Sequence, residues 1–297
     1  PPSATPPPIV ARASAATAAH AARSVDGVPA TAWRVAPSSR APWLELDLGV
    51  EREFGGLMLD WAPGERLADY DVRVAGNDRV FRTMREVRGG DGERDWLYLP
   101  ESEARTIRIE GVGRTRQAIA LREVTLQPLD FGSSMNRFYE AVAKASPRGL
   151  YPRGMRGEMQ FWAVVGAAGA MEESFLSEDG AVDAGAGKFS VEPFLWTGGR
   201  LWTWADVKSD QSLEDGYLPF PTVTWKGAPV RLEVTADPAG DGSRGGTWVR
   251  YRLANPSHTQ VHGALFLAIR PFQVNPPAQF LNTPGGAVEI RALERGA

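Results

Sequence analysis

The 297-residue chain has no cysteine and only three histidines. The first absence excludes disulfides, thiol nucleophiles and thiolate-held metals together, and it leaves the redox compartment open. Of His20, His258 and His262, the last two stand four apart in a segment of strand character. Such residues lie about 13 Å apart along a strand, so no zinc site is expected. No stretch approaches the roughly 20 apolar residues that a membrane-spanning helix requires. Charge of one sign is also lacking: 33 Lys and Arg face 36 Asp and Glu, for a net −3. This gives no broad basic field, and nucleic acid is not an expected partner. The sequence contains no Gly-x-Ser-x-Gly elbow, phosphate loop or dinucleotide fingerprint, and no repeat of constant period. The opening Pro1 to Pro8 carries no Met, basic region or apolar region, and reads as an extended, processed or trimmed terminus.

What the chain has in abundance is alternation. Leu44, Leu46 and Leu48 oppose Glu45 and Asp47; Tyr70, Val72 and Val74 oppose Asp69, Asp71 and Arg73; Ile107 and Ile109 oppose Arg108 and Glu110. A period of two over half-apolar segments specifies antiparallel strands with one wet face. Gly55-Gly56, Pro63-Gly64, Gly76-Asn77-Asp78 and Gly89 to Gly92 read as punctuation between strands. Ala11 to Ala22 has no apolar stripe and reads as an irregular entry. Ser133 to Ala145 is the one clear helix, with Met135, Phe138, Tyr139 and Val142 at helical spacing behind caps at Ser133 and Ser134. Alternation resumes around Leu201 to Val207, Val230 to Val234 and Val249 to Leu253, and Ala264 to Ile269 reads as buried on both faces.

The expected fold is therefore all-β: a jelly roll followed by a second large antiparallel β-sandwich, joined by a short helical linker. The expected boundaries are an extended terminus over 1–10, a first domain over 11–130, a linker over 131–150 and a second domain over 151–297.

Five stretches of the first domain, in this order, carry a resemblance: Asp26-Gly27 with Thr31 and Trp33, Trp43 to Gly49, Tyr70 to Val74, Thr106 to Ile109, and Arg122-Glu123-Val124. The segment from about Ala11 to Leu129 resembles the coagulation factor V/VIII type C, or discoidin, family, which includes many carbohydrate-binding modules. The resemblance implies an eight-stranded jelly roll with a structural calcium ion held by Asp26, Thr31 and Glu123 and the Val28 carbonyl. Hard oxygen ligands of this kind suit calcium. Asp26 capping its own turn, with Glu123 as a solvated strand residue, accounts for the same residues without a metal. Ligand sites in the family lie on loops at one end of the roll. This points to Trp61 and Arg66, Asn77 and Arg79, and Arg114 and Arg116, which pair an aromatic face with guanidinium donors. Trp33 and Trp43 are assigned to the core.

The region Tyr151 to Ile290 includes Arg156 to Trp162, Leu176 to Gly180, Phe189 to Phe194, Gln211 to Pro219 and Ile269 to Pro277. It resembles the supersandwich that precedes an (α/α)-barrel in bacterial glycosidases and phosphorylases. In such enzymes the catalytic acids belong to the barrel, so a helical catalytic domain following Ala297 is an implied partner. Glycoside hydrolysis needs two carboxylates facing each other across a sugar. Glu178 with Asp179 and Glu214 with Asp215 are sequence neighbours, which suits turns better than catalysis. Trp202 and Trp204, placed on one strand face, read as core cover or as a sugar platform. The expected function is a non-catalytic carbohydrate-binding and accessory β-sandwich portion of a bacterial-type glycoside hydrolase or related carbohydrate-active enzyme, secreted or periplasmic, binding an oligo- or polysaccharide. The alternatives are an adhesion or assembly module for protein or lipid headgroups, and a small glycosidase sited in the second sandwich.

Overall fold

The computed structural model describes residues 6–170, 172–241, 244–278 and 285–294. Most of the extended terminus expected over 1–8 thus lies outside the described residues. The chain divides into two compact units, Pro1–Phe138 and Tyr139–Ala297, and is all-β in both.

Unit 1 is built from β1 (Val10–Ala13), β2 (Trp33–Val35), β3 (Trp43–Trp61), β4 (Tyr70–Ala75), β5 (Arg82–Val87), β6 (Arg94–Gly111) and β7 (Ile119–Gln127). The strand order is β2-β7-β3-β6-β4-β5, with β1 on the free side of the first half of β3. The long strands β3 and β6 close the roll. Their facing halves pair Leu44 with Ile109 and Leu46 with Ile107, while β4 sets Val72 beside Ile109 and Val74 beside Ile107. All of these side chains are fully buried, together with Trp33, Trp61, Tyr70 and Phe54. The period-two faces read in the sequence are the core of this unit.

Two elements depart from expectation. Gly55 and Gly56 lie inside β3 and do not separate strands. A Cβ on Gly55 would sit 2.5 Å from the Pro128 carbonyl oxygen and 2.9 Å from the Gly132 Cα, and one on Gly56 would sit 2.7 Å from Phe131 Cδ1. They are glycine because α1 (Leu129–Gly132) crosses the strand backbone at contact distance. The Ala-rich entry is ordered as β1 followed by a 3-10 helix over Ala15–Ser24, in which the Thr17 hydroxyl donates to the Ser14 carbonyl at 3.0 Å.

The predicted helix forms as α2 (Met135–Ala145), and the division between units falls inside it. The Ser134 hydroxyl accepts from the Arg137 N–H at 3.2 Å, the N-cap bond its position suggested.

Unit 2 stacks two sheets. One is β12-β11-β10-β9-β8, with β17 also on β11: β8 (Trp162–Val165), β9 (Ser174–Ser177), β10 (Val182–Asp183), β11 (Ser190–Thr197), β12 (Arg200–Trp202) and β17 (Gly263–Arg270). The other is β13 (Lys208–Glu214), β14 (Leu218–Lys226), β15 (Arg231–Asp241) and β16 (Arg244–Ala254), in that order. Val165, Leu176, Val182 and Leu195 from the first sheet meet Val223, Trp225, Leu232 and Val234 from the second in one apolar cluster.

Two expectations fail in this unit. The alternation over Leu201 to Val207 is broken by a capping box at Thr203: the Asp206 carboxylate accepts the Thr203 N–H at 2.9 Å, and the Thr203 hydroxyl accepts the Ala205 N–H at 3.2 Å. A 3-10 turn replaces the strand. Trp204 on that turn is buried, with Arg148 and Arg153 4.5 and 4.3 Å from its ring centroid, while Trp202 stays on β12. The two do not form a platform on one strand. The apolar run in β17 is not buried on both faces either, because among the described residues it pairs with β11 alone, and Phe266, Leu267 and Ile269 are about half exposed.

Candidate functional site

At one end of unit 1, two loops are zipped together by their backbones. The Ser38 N–H donates to the Thr115 carbonyl at 2.8 Å, the Ala41 N–H to the Gly113 carbonyl at 2.7 Å, and the Thr115 N–H to the Ser39 carbonyl at 3.0 Å. The Thr115 side chain locks the pair by accepting from the Ser39 N–H at 3.0 Å and donating to the Ala36 carbonyl at 3.1 Å. Thr115 is buried, and in this extended segment its neighbours Arg114 and Arg116 point outward. A third guanidinium arrives from the loop before β4, where Arg66 Nε donates to the Gly90 carbonyl at 3.0 Å.

These three arginines line a cleft of about 340 Å³ together with Pro42, Leu67, Asp69, Val112, Gln117 and Ile119. Asp69 is the one acid in the lining, and its Oδ1 accepts from the Gly89 N–H at 2.8 Å. Arg114 donates once to the Ser38 carbonyl at 3.0 Å. Among the described residues, none of the three arginines has a carboxylate within ion-pair distance, whereas Arg34, Arg73, Arg88 and Arg108 of the same unit are all so paired.

The other residues read as ligand contacts do not join them. Trp61 is fully buried; its indole N–H donates to Asp95 at 2.8 Å, and the same carboxylate oxygen accepts from the Tyr70 hydroxyl at 2.7 Å. It is a core residue and offers no face for stacking. Asn77 accepts from Arg105 at 3.2 Å, and Arg79 sits exposed in the same turn with φ 58°. That turn follows Ala75 at the far end of β4, while the cleft adjoins its first residue, so the separation is close to 20 Å at ~3.3 Å per residue.

The residues read as cation ligands lie close together. The Thr31 hydroxyl lies 2.8 and 3.0 Å from the two Asp26 oxygens, 3.1 Å from the Val28 carbonyl and 3.4 Å from the Arg23 carbonyl. One hydroxyl proton cannot serve all four acceptors, and the Val28 carbonyl also accepts the Thr31 N–H at 3.0 Å. Glu123 is drawn in from β7, accepting from the Gly27 N–H at 3.0 Å. Partial burial pushes its carboxyl above the ordinary range, and the negative Asp26 and Asp60 push the same way against the Gly27 N–H. Among the described residues no three His, Asp or Glu side chains gather as a metal cluster. A cation here would draw on carbonyl and hydroxyl oxygens besides two carboxylates, a donor set that fits calcium. The Val28 N–H also donates to Asp26 at 2.9 Å, the turn-capping role that needs no metal.

In unit 2, Asp179 and Glu192 share the wall of one small cavity with Gln160, Trp204 and Trp225. Asp179 is held by Arg153 through two bonds of 2.7 and 2.9 Å, and Glu178 lies 3.5 Å from the same guanidinium. Burial pushes the Glu192 carboxyl up to about 7, against the pull of Arg270 and with a smaller push from Asp179. Two acids with such environments resemble a catalytic pair. Yet the cavity holds about 10 Å³, the space of a single water. No sugar ring fits between them. Glu214 and Asp215 are exposed at the end of β13, with Asp215 at φ 51° in the turn.

The cleft and the Asp26, Thr31 and Glu123 cluster fall within one stretch of chain that a family model matches. Residues 9–124 match the F5/8 type C domain. No curated protein matches the chain. Among solved structures, chitosan-binding module 2 of a chitosanase/glucanase from Paenibacillus sp. IK-5, in complex with chitotriose, is 21% identical over 40% of this chain and 94% of that one, with TM-score 0.35. The Clostridium perfringens module CpGH89CBM32-5, in complex with GalNAc-β-1,3-galactose, is 16% identical over 40% of this chain and 94% of that one, with TM-score 0.35. A GH29 fucosidase of Ruminococcus gnavus is 20% identical over 36% of this chain and 22% of that one, with TM-score 0.33. Among the described residues, no helix is long and apolar enough to cross a membrane.

The signal for the cleft was present in the sequence as Arg114-Thr115-Arg116, but its partner was not Trp61. Thr115 and the 36–42 loop that it anchors carry no residue type that marks a binding site. Only the backbone pairing between the two loops makes them the wall of the cleft.

Proposed function

We propose that this chain is the carbohydrate-binding and accessory β-sandwich portion of a carbohydrate-active enzyme, with saccharide held in the Arg66, Arg114 and Arg116 cleft of the F5/8 type C unit. The observation that carries the reading is that cleft: concave, on loops fixed by backbone hydrogen bonds, and walled by guanidinium groups that have no carboxylate within ion-pair distance among the described residues. Saccharide hydroxyls supply the missing acceptors, and the rigid rim keeps the ordering cost of binding low. A structural calcium ion belongs to the same reading, held by Asp26, Thr31, Glu123 and the Val28 carbonyl, where it would neutralise two carboxylates and fix the loop that leads into β2. Bond cleavage is assigned to a helical catalytic domain outside this sequence, and the setting to a secreted or periplasmic protein.

The test is direct binding. Screening the whole chain on a glycan array, followed by calorimetric titration of the hits, is expected to give saccharide binding that Arg114→Ala with Arg116→Ala removes at unchanged far-UV circular dichroism. Binding only to a protein or to lipid vesicles, or saccharide binding that ignores both arginines, would overturn the assignment.

A further inference from the structure

Three guanidinium groups in one cleft offer many hydrogen-bond donors and no acceptor. Among the described residues, two of their N–H groups meet protein carbonyls, one from Arg66 and one from Arg114. The side-chain acceptors opposite them are outnumbered: Asp69 accepts from the Gly89 N–H through Oδ1 alone, and the Gln117 amide donates to the Gly64 carbonyl at 2.8 Å. Among the described residues no aromatic ring lines the cleft, so stacking on the apolar face of a neutral sugar is not what drives binding. A neutral hydroxyl both donates and accepts, and here Asp69 and Gln117 are acceptor side chains set against three guanidinium donors. A carboxylate only accepts, and its planar pair of oxygens matches the guanidinium fork.

Resting on the saccharide reading above, we infer that the cleft selects acidic sugars, with an anionic group seated between Arg114, Arg116 and Arg66. The chain's overall balance of charge does not oppose this, because the positive field is local. Arg40, exposed and bridged to Arg114 by backbone pairing, also lacks an ion-pair partner among the described residues and adds to it.

The experiment titrates the whole chain with matched oligosaccharides: galacturonate against galactose, glucuronate against glucose, and a sulfated galactose oligomer to separate carboxylate from any anion. Acidic oligomers are expected to bind at least about tenfold more tightly than their neutral counterparts. Their affinity should weaken as salt rises, and the preference should vanish in Arg114→Gln with Arg116→Gln. Equal affinity for sulfated and carboxylated sugars supports anion selection of either kind. Neutral oligomers binding as well as acidic ones would overturn this inference and leave saccharide binding intact. Acidic binding untouched by the double substitution would overturn the seat of the anion. No binding by any oligomer in the set or on the array would sink both. The two arginines are exposed, so both variants are expected to keep the wild-type melting temperature, which serves as the folding control.

Discussion

Glu192 gives unit 2 a stability that falls as pH rises. Its side chain is 5% exposed on β11. The nearest cation, Arg270 Nε, lies 3.4 Å from Oε2 without a hydrogen bond, and both atoms lack any hydrogen-bond partner among the described residues. An ion pair so poorly bonded does not repay the cost of burying the charge. The carboxyl is accordingly pushed up from 4.5 to about 7. At about 1.4 kcal/mol per pH unit, that displacement is worth ~3 kcal/mol in all. Between those two values the folded chain keeps a proton that the unfolded chain has released. Stability is therefore lost as pH rises through this window, and the loss is complete once the folded carboxyl ionises. About 2–3 kcal/mol is lost between roughly pH 5 and pH 8. For a unit of this size that lowers the melting temperature by on the order of 5–10 °C. Asp183, pushed up to about 6 by burial, adds a similar loss at lower pH, so the clean comparison is with Glu192→Gln. That substitution mimics the protonated acid and should match wild type at acidic pH while melting higher at basic pH. Scanning calorimetry across the window measures both. A variant that retains the wild-type pH dependence, or that is destabilised equally at every pH, would refute the argument and show that the Arg270 pair is net stabilising.

Two further outcomes concern unit 1. Saturating calcium should stabilise it by about 3 kcal/mol at a hundredfold excess over Kd. Thermal scans with and without chelator would show that shift in wild type and not in Glu123→Gln, and the absence of any wild-type shift would dismiss the ion. Gly55→Ala should destabilise by on the order of 2–4 kcal/mol, because its Cβ meets the backbone of α1 on both sides and neither backbone can yield cheaply. Denaturant unfolding measures this, and a change below about 0.5 kcal/mol would mean that the crossing is loose.

The strand faces were legible because burial on one side writes itself into every second residue, as at Leu44, Leu46 and Leu48 or Ile107 and Ile109. What misled was local chemistry with two uses. Gly55-Gly56 reads as a turn, yet the same missing side chains serve close backbone approach inside a strand. Leu201 to Val207 alternates, yet Thr203 and Asp206 at capping-box spacing outcompete the alternation. Trp61 closes β3, where a ring is as much at home in the core as on a rim, and only the Asp95 and Tyr70 bonds decide which. Asn77 and Arg79 have suitable side chains at the wrong end of β4, a distinction that needs the strand register. The cleft gathers three arginines without ion-pair partners among the described residues although the whole chain is nearly neutral, since net charge averages over a surface on which most arginines are paired.

Saccharide held by the paired loops carrying Arg114 and Arg116 would be seen in nuclear magnetic resonance of the labelled whole chain during titration with the best oligosaccharide from the array. Shifts are expected to concentrate at residues 36–42, 66–69 and 111–117. Shifts centred instead on the turn at Asn77 and Arg79, or anywhere in unit 2, would contradict it.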